Sequence, residues 1–330
     1  MSRRIRSAAV AAVVTIGLAA CGSGSPSMLD PKGDEAAKIA RAWWIMFGLA
    51  IGVYVLVATF IIIAVLRGRR TESGKASRLT DGSFVWFGGI VMPVVVLLVI
   101  AVLTVTTTAA LRKPSRSALH VQIVGHDWWW DVRYPGTSIH VANEFHLPVG
   151  TPIDIRLTSA DVIHSFWVPQ IGGKVDLIPG QPNDFRFTIT KPGLYRGQCA
   201  EYCGLQHANM ALYVHADPPG LYERWVAAHR DPPSEPASDL AALGAVTFQA
   251  QSCAGCHTVR GTQAQGTRGP NLTDFGSRRS IGAGTIANTP TRLARWMVDA
   301  QQFKPGARMP PISLSTRDVD SIVAYLESLK

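Results

Sequence analysis

The chain has 330 residues, more than the ~100–200 residues typical of one domain, so two or more structural units are expected. Its formal net charge is +9, and 47% of its residues are hydrophobic. The hydrophobic residues are concentrated in three N-terminal blocks, and the rest has the composition of an ordinary soluble protein. A net positive charge can indicate nucleic-acid binding, but the membrane and metal-binding segments described below exclude that class of partner.

The first apolar block has the layout of a signal peptide. Residues 1–20 begin with three arginines, continue as an apolar run and reach Cys21 through Leu-Ala-Ala. This segment resembles a bacterial lipoprotein signal, which predicts cleavage before Cys21 and lipidation of that cysteine. The alternative is an ordinary signal peptide in which Cys21 has no role. Both interpretations place the mature N-terminus outside the cytoplasm.

Two longer apolar runs predict a transmembrane helical hairpin over residues 42–111. Residues 42–66 and 84–111 carry no charged side chain, and each run exceeds the ~20 residues that cross a bilayer as a helix. By the positive-inside rule, the basic loop between them is cytoplasmic. Both flanking segments therefore face the periplasm or exterior, and we expect a multi-pass protein of the bacterial inner membrane. The basic residues of the loop are Arg67, Arg69, Arg70, Lys75 and Arg78.

The remaining chain predicts two soluble units of different class. Over residues 115–217, short alternating or β-branched runs separated by Gly, Pro and Asp predict a β-sandwich. A Pro-rich linker follows at residues 218–240. Residues 241–330 predict an all-α unit, because Leu and Val recur there at three- and four-residue spacing. The predicted strands are 120–124, 139–144, 152–157, 185–189 and 211–215, and the predicted helices are 239–251, 291–301 and 316–330.

Cys253, Cys256 and His257 form the C-x-x-C-H signature of c-type haem attachment. The two thiols add across the haem vinyl groups, and the imidazole is the proximal iron ligand. A zinc site is the alternative, but zinc requires a second ligand pair that the segment lacks. A distal methionine raises the potential of such a haem. Met309 lies in a Lys-Pro-Gly-Ala-Arg-Met-Pro loop able to present sulfur, whereas Met297 lies in a predicted helix and is expected in the core.

The all-α unit resembles a class I cytochrome c along its whole length. The resemblance rests on the C-x-x-C-H motif, the Gly-Pro-Asn-Leu segment at 269–272, the methionine loop and a C-terminal helix ending in Tyr-Leu-Glu-Ser-Leu. It implies that His257 and Met309 are the axial ligands and that the Pro270 carbonyl orients His257. With both axial positions filled, the haem transfers electrons and does not activate oxygen.

A second cluster of metal-binding residues ends the β-rich segment. Cys203, His207 and Met210 have the C-x-x-x-H-x-x-M spacing of a mononuclear blue-copper site. Cys199 adds a second thiolate four residues upstream, which lets two sulfurs bridge two coppers, and His164 is the earlier histidine. A Cys199–Cys203 disulfide is the alternative in an oxidising compartment, but it leaves the ordered His and Met unexplained.

Residues 115–217 and the preceding helix pair resemble subunit II of the haem-copper cytochrome c oxidases, in the variant that carries its own cytochrome c. The resemblance implies a cupredoxin-like Greek-key β-sandwich that holds the dinuclear copper A centre. The two cysteines would bridge the coppers, with His164 and Met210 completing one copper. His207 and the backbone carbonyl of Glu201 would complete the other.

The same resemblance assigns further roles. In the His-Asp-Trp-Trp-Trp segment, Trp128 takes the position of the tryptophan through which electrons enter, and the next two tryptophans are expected in the core or an interface. The Glu201 carboxylate would reach toward a magnesium ion at the border with subunit I. One departure is that residues 84–92, at the start of the second membrane helix, lack the glutamate that many family members carry for proton entry, although Asp81 lies just upstream.

The resemblance implies an electron-transfer subunit of a membrane-bound, proton-translocating terminal oxidase. Electrons would pass from cytochrome c or a quinol–cytochrome c reductase through haem c to copper A, and then to subunit I, where oxygen is reduced to water. We expect no catalytic residue in the isolated chain, because protein ligands fill every inferred metal position. The alternatives are the copper A subunit of a haem-copper nitric oxide reductase and, less compatible with a complete ligand set and a haem, a copper-delivery assembly factor.

The two soluble units carry opposite net charge. Residues 116–217 contain seven Lys/Arg against nine Asp/Glu, whereas residues 241–330 contain ten against five. Opposite charges favour encounter and orientation. We therefore expect the haem unit to dock on the sandwich near Asp161 and Trp128.

Overall fold

The computed structural model describes residues 26–68, 81–111, 119–236 and 238–330. The expected signal peptide with Cys21, and the loop residues from Arg69 to Arg78, lie outside the described residues. Within them, the chain forms two long apolar helices, two five-stranded sheets and a C-terminal helical unit.

Two long helices form the N-terminal part. Helix α1 spans Asp34–Gly68, and the second begins as α2 (Asp81–Trp86), passes through a π-helical turn (Phe87–Val91) and continues as α3 (Met92–Leu111). Among the described residues, these are the two segments long and apolar enough to cross a membrane, with mean hydropathies of 2.9 and 2.8. Their large apolar side chains are exposed, as expected where lipid replaces water.

Helix α1 begins eight residues before the predicted apolar run, because its first turns belong to the soluble part. The Asp34 carboxylate accepts a hydrogen bond from the Thr188 amide at 2.7 Å. The Ala36 amide donates to the Ile171 carbonyl at 3.1 Å, and Ala36 is fully buried. The helix is thereby anchored to the sandwich before it enters its apolar stretch.

Ten strands form a β-sandwich of two five-stranded sheets, as predicted. The first has the order β3-β2-β1-β5-β8 and the second β4-β10-β9-β6-β7. β1 pairs with β5 and β4 with β10 in parallel, and the other pairs are antiparallel. The strands are β1 Leu119–His126, β2 Trp129–Arg133, β3 His140–Ala142, β4 Glu144–Pro148, β5 Pro152–Ser159, β6 His164–Trp167, β7 Val175–Leu177, β8 Asn183–Thr188, β9 Gly193–Cys199 and β10 Ala211–Asp217.

The core lies between the two sheets, and alternation along the strands produces it. In β5, Ile153, Ile155 and Leu157 are buried while the residues between them are partly or fully exposed. The period of two directs successive side chains to opposite faces. Trp130 is completely buried in this core, which confirms the core expectation for that tryptophan.

The segment after the sandwich contains a short helix, α4 (Pro219–Ala228), which packs against β4 and β10. The ring of Trp225 stacks on that of His146 with centroids 4.6 Å apart. Thus the first part of the expected linker is a structured extension of the sandwich.

The C-terminal unit is built around the crossing of two helices. It contains α5 (Asp239–Ala250), a small hairpin of β11 (Ser280–Ile281) and β12 (Ile286–Ala287), α6 (Pro290–Val298) and α7 (Thr316–Ser328). Helices α5 and α7 approach so closely that a Cβ at Gly244 would lie 1.9 Å from the Ser321 carbonyl oxygen. Met297 is buried in this core, as the sequence predicted.

Candidate metal centres and the contact between them

The candidate copper residues come together at one end of the second sheet. His164 opens β6, Cys199 closes β9 and Met210 directly precedes β10. Cys199 is the cross-strand partner of Phe166, two residues after His164. This register brings a histidine that is 35 residues away in sequence next to the cysteine. The loop from β9 to β10 supplies Cys203 and, on a 3₁₀ turn, His207.

The donor atoms of this cluster lie within 4.0 Å of one another along a chain of contacts. The two Sγ atoms, Cys199 and Cys203, are 3.6 Å apart. Cys199 Sγ is 4.0 Å from His164 Nδ1, and Cys203 Sγ is 3.6 Å from His207 Nδ1. Both cysteines are free thiols, so the structure does not contain the alternative disulfide.

Two further donors complete the cluster. Met210 Sδ lies 3.9 Å from Cys203 Sγ, and the Glu201 carbonyl oxygen lies 3.2 Å from Cys199 Sγ. Donors that share a tetrahedral metal at ~2.0–2.3 Å lie roughly 3.3–3.8 Å apart. Thiolate, thioether and imidazole together form a donor set that copper binds. The residues therefore fit a copper pair.

Burial and hydrogen bonding hold the donor groups of the cluster in place. His164 and Met210 have no exposed surface. The Asp161 carboxylate accepts a hydrogen bond from His164 Nε2 at 2.8 Å, which directs Nδ1 toward Cys199. Burial lowers the pKa of His164, but the hydrogen bonds with Asp161 and Cys199 outweigh it and raise the pKa to about 9.

The pKa values of the two cysteine thiols are shifted in opposite directions. The hydrogen bond from the Cys203 thiol is the largest cause that lowers the pKa of Cys199, and the same contact raises the pKa of Cys203. One thiolate therefore forms readily while the second holds its proton. A divalent metal between the sulfurs removes the remaining proton, because coordinating thiols are deprotonated.

Trp128 lies directly against the candidate copper loop. Its Nε1 donates a hydrogen bond to the Cys203 carbonyl at 2.8 Å. A Cβ at Gly204 would lie 3.3 Å from its ring. Trp129, by contrast, stacks on His126 with ring centroids 4.3 Å apart. Of the tryptophans in this segment, Trp128 is thus the one that touches the loop.

The Glu201 side chain faces away from the cysteines. Its carboxylate forms an ion pair with Lys174 at 2.9 Å, and 44% of the side-chain surface is exposed. The residue therefore offers a backbone carbonyl to the cluster and an accessible carboxylate to the outside.

The C-x-x-C-H residues form a compact turn. Cys253–Gly255 is a 3₁₀ turn, and both cysteines are free and partly exposed. His257 Nδ1 hydrogen-bonds the Pro270 carbonyl at 2.8 Å, which leaves Nε2 for an iron atom. Burial lowers the pKa of His257, which favours the neutral imidazole that binds metals. These residues fit a covalently attached haem.

The methionine loop is held by a side chain of the C-terminal unit itself, Gln301. Gln301 Nε2 donates to the Ala307 carbonyl at 2.7 Å and to the Met309 carbonyl at 3.0 Å. Its Oε1 accepts from the Gly306 amide at 2.7 Å. One side chain thereby fixes both arms of the loop that carries the candidate sixth ligand.

The C-terminal unit contacts the sandwich beside Trp128 and Asp161, as the opposite charges predict. Arg308 pairs with Asp127 at 2.8 Å and lies 3.7 Å from Asp161. The Gln206 side chain donates to the Pro305 carbonyl at 2.7 Å. The methionine loop therefore lies on the candidate copper loop.

Sequence reasoning missed two buried charges in this contact, Glu144 and Lys304. The Glu144 carboxylate accepts hydrogen bonds from the Arg279 amide and from the amide and hydroxyl of Ser280, at 2.7–2.9 Å. The Lys304 ammonium donates to three backbone carbonyls. No spacing pattern could reveal either residue. The partners of Glu144, two backbone amides and one hydroxyl, are more than 130 residues away, and the backbone carbonyls that Lys304 contacts are up to 176 residues away.

Comparison with known proteins identifies the family of each soluble unit. The family model described as cytochrome c oxidase subunit II, periplasmic domain, matches residues 135–217, and the cytochrome c model matches residues 241–330. Cytochrome c oxidase subunit 2 of Alkalihalophilus pseudofirmus is 33% identical over 327 residues, covering 96% of this chain and 95% of that protein. The Bacillus subtilis protein of the same name is 27% identical over 342 residues, covering 97% and 96%.

Among solved structures, the periplasmic domain of subunit II of cytochrome oxidase from Bradyrhizobium japonicum is 30% identical, with a TM-score of 0.33, and covers 35% of this chain and 95% of that one. The similarity to the Alkalihalophilus protein extends over nearly the full length of both chains and includes both soluble units. This chain belongs to the cytochrome c oxidase subunit II family, as a member with a C-terminal cytochrome c domain.

Proposed function

We propose that this chain receives electrons for a haem-copper oxidase, passing them from haem c to a dinuclear copper A centre and on to the subunit that reduces oxygen to water. The observation that carries the proposal is the donor cluster in the sandwich. Two free thiols 3.6 Å apart lie against two imidazoles and a thioether at 3.6–4.0 Å. A structural disulfide or a single-metal site uses fewer of these groups.

We assign the ligand roles as the family implies. Cys199 and Cys203 would bridge the two coppers, and His164 with Met210 would complete one copper, while His207 and the Glu201 carbonyl would complete the other. A copper pair bridged by two thiolates shares its unpaired electron over both metals, so its geometry changes little on reduction. The buried side chains keep water out of this site, and Asp161 holds the His164 ring in place.

For the haem, we propose thioether bonds at Cys253 and Cys256 and axial ligation by His257 and Met309. The contact between His257 and the Pro270 carbonyl supports this assignment, because it fixes the orientation of the ring. The Gln301 contacts hold the Met309 loop.

The proposed electron path runs from the haem past Trp128 to the copper pair, and then out through the membrane side of the sandwich. Trp128 is hydrogen-bonded to the Cys203 carbonyl on one side. On the other side, a Cβ at Gly306, in the methionine loop, would lie 3.7 Å from its ring. The same indole therefore touches both the copper loop and the haem-ligand loop.

We also propose the surroundings that the family implies. The chain is a multi-pass protein of the bacterial inner membrane, with both metal domains on the outer side. It is lipidated at Cys21 and assembles with subunit I and other subunits of a proton-translocating oxidase. Cytochrome c or a quinol–cytochrome c reductase is the donor, and Glu201 contributes to a magnesium site.

The proposed domain boundaries are a signal peptide at 1–20, a membrane hairpin at 42–111, the copper domain at 115–217, a linker at 218–240 and the haem domain at 241–330.

The experiment compares Trp128→Phe with Trp129→Phe in the purified complex. A light flash on an added photoreductant delivers one electron to the haem, and its transfer to copper is followed through the haem and near-infrared copper absorption bands. We expect Trp128→Phe to slow the transfer and Trp129→Phe to leave it unchanged, because only Trp128 touches both loops. Equal rates in the two variants would refute the path. Oxygen consumption by the complex, without nitric oxide consumption, is expected for the proposed reaction.

A further inference from the structure

Lys304 is a buried cation at the contact between the haem domain and the copper domain. Only 3% of its surface is exposed. Its Nζ donates hydrogen bonds to the carbonyls of Trp128 at 2.8 Å, Asn209 at 2.7 Å and Gly282 at 2.7 Å. The first two acceptors belong to the copper domain, and the third belongs to the haem domain.

These three acceptors match a charged amine. An ammonium group has three N–H donors, and each has one carbonyl here. A neutral amine has only two hydrogens and would leave one carbonyl without a donor. Burial lowers the pKa of Lys304 to about 7, whereas the three carbonyl contacts favour the protonated form. No carboxylate pairs with this ammonium among the described residues, so its partners are fixed backbone dipoles.

The acceptors of Lys304 lie at functional positions. Asn209 directly precedes Met210, and Trp128 contacts the Cys203 carbonyl through its indole. Lys304 itself begins the loop that carries Met309. One ammonium thereby joins the copper loop, the tryptophan between the centres and the haem-ligand loop.

We propose that Lys304 is a positioning residue for haem-to-copper electron transfer, whose buried ammonium fastens the Met309 loop to the carbonyls of Trp128 and Asn209. The haem domain then spends most of its time docked on the copper domain. The inference rests on the proposed function, because it uses the roles given there to Met309 and Trp128. It adds a residue of the methionine loop that is not itself a metal ligand.

Two consequences follow from the position of the charge. Loss of the ammonium removes two hydrogen bonds across the domain interface and one within the haem domain, so the haem domain opens more often. The charge of Lys304 also interacts with the Cys203 sulfur, so it would stabilise a bound copper pair in its reduced form, which carries one more electron. Lys304 would therefore raise the reduction potential of that copper pair as well as hold the docked geometry.

The test uses the full chain in the purified complex and three variants. Lys304→Met removes the charge but keeps an unbranched side chain. Lys304→Arg keeps a cation with several donors. Arg317→Met is the matched control, because Arg317 is an exposed cation of the same domain.

The first measurement is hydrogen exchange at the Ala211 amide, which donates across the domain contact to the Ala283 carbonyl at 2.9 Å. Exchange of such an amide reports opening of the contact. We expect about tenfold faster exchange in Lys304→Met, which corresponds to about 1.4 kcal/mol of docking free energy. Lys304→Arg restores most of the protection, and Arg317→Met has no effect.

The second measurement is the midpoint potential of the copper pair. A contact that only held the two domains together would not shift this potential through its charge. We expect a lower potential in Lys304→Met and no shift in Arg317→Met. The rate of haem-to-copper transfer falls in Lys304→Met in parallel with the loss of protection.

Unchanged Ala211 exchange in Lys304→Met, with the amides of helix α7 still protected, would overturn the inference. If the α7 amides also exchange fast, the haem domain has unfolded, and Lys304→Arg decides instead. If the Ala211 amide stays protected in Lys304→Arg, the inference is supported. If the Ala211 amide loses its protection while the α7 amides stay protected, the inference is overturned. Failure of the proposed function has a different signature, because the wild-type complex would then lack the haem and copper absorption bands.

Discussion

Replacement of Glu144 by glutamine should open the contact between the two soluble domains. The carboxylate is 5% exposed and belongs to strand β4 of the copper domain. One oxygen accepts from the Arg279 amide at 2.9 Å, and the other accepts from the amide and hydroxyl of Ser280 at 2.9 and 2.7 Å. Glutamine retains one oxygen, but its amide nitrogen must face an N–H group that also donates.

The magnitude follows from these three hydrogen bonds. Bonds to a charged group contribute ~1.5–3 kcal/mol and neutral ones ~0.5–1.5, and an unsatisfied buried donor costs ~1–3 kcal/mol. Two bonds that lose their charge and one donor that loses its acceptor together weaken docking by roughly 3–6 kcal/mol. At about 1.4 kcal/mol per factor of ten, the open population rises roughly 100-fold to 20,000-fold.

Trypsin cleavage after Arg230 measures the open population under native conditions. The haem domain holds this segment closed, because Arg260 donates to the Asp231 carbonyl. Glu223→Gln is the matched control, since Glu223 is exposed on helix α4 of the same domain. A Glu144→Gln rate equal to that of the control would refute the interpretation of Glu144 as a docking residue.

The pH dependence of docking also comes from the Glu144 carboxylate. Burial raises the pKa of Glu144, but hydrogen bonds with His215 and with the Arg279 and Ser280 groups outweigh it and hold the pKa below its ordinary value of 4.5. A lowered carboxyl pKa contributes stability that is complete above the ordinary value and is lost as the pH falls through the folded value. Docking should therefore weaken below pH 4.5 in the wild type, and this loss should be absent in Glu144→Gln.

Three other substitutions test the packing of the haem domain, a surface ion pair and the orientation of a metal ligand. Gly244→Ala should destabilise the haem domain by about 1–3 kcal/mol in thermal unfolding, because its Cβ would overlap the α7 backbone; Gly220→Ala, with open space around it, should not. Arg308→Met removes an ion pair whose arginine is 67% exposed, so it should weaken docking by less than about 1 kcal/mol, and only at low salt; an equal effect at high salt would contradict this. Asp161→Asn should alter the copper spectrum, because the amide does not orient the His164 ring as the carboxylate does; an unchanged spectrum would dismiss that role.

The chemistry of both centres could be predicted because ligands cluster at short spacings. Cys199, Cys203, His207 and Met210 lie within twelve residues, and the donor types alone indicate copper. His164 is 35 residues from Cys199 in sequence, so no short spacing links the two, and the pairing of β6 with β9 brings them together.

The fold was predictable where the hydrophobic pattern has a clear period. The alternation of β5 and the heptad-like spacing of helix α7 identify these elements. In the sandwich, strands β2, β6, β7 and β9 were missed, together with all of β4 except Glu144, because short segments with mixed polar and aromatic residues have no distinct period. The early start of helix α1 was missed for a related reason, since its first turn is charged and its contacts are with the sandwich.

The arrangement of the two domains was predictable only in outline. Net charge indicated which surfaces meet, and the exposed Arg308 pair agrees with it. The buried contacts of Glu144 and Lys304 are made mainly with backbone groups far away in sequence, so neither composition nor spacing could indicate them. We propose that these contacts hold the haem and copper domains together, so that the two carriers need not meet by diffusion.

The most direct test of the account is the electron paramagnetic resonance spectrum of the purified complex, with copper and haem analysis, for the wild type and Cys199→Ser. The account predicts two coppers and one haem in this chain, and a spectrum of one electron shared by two coppers that Cys199→Ser abolishes while the haem band remains. A single copper, or a localised spectrum that survives Cys199→Ser, would contradict it.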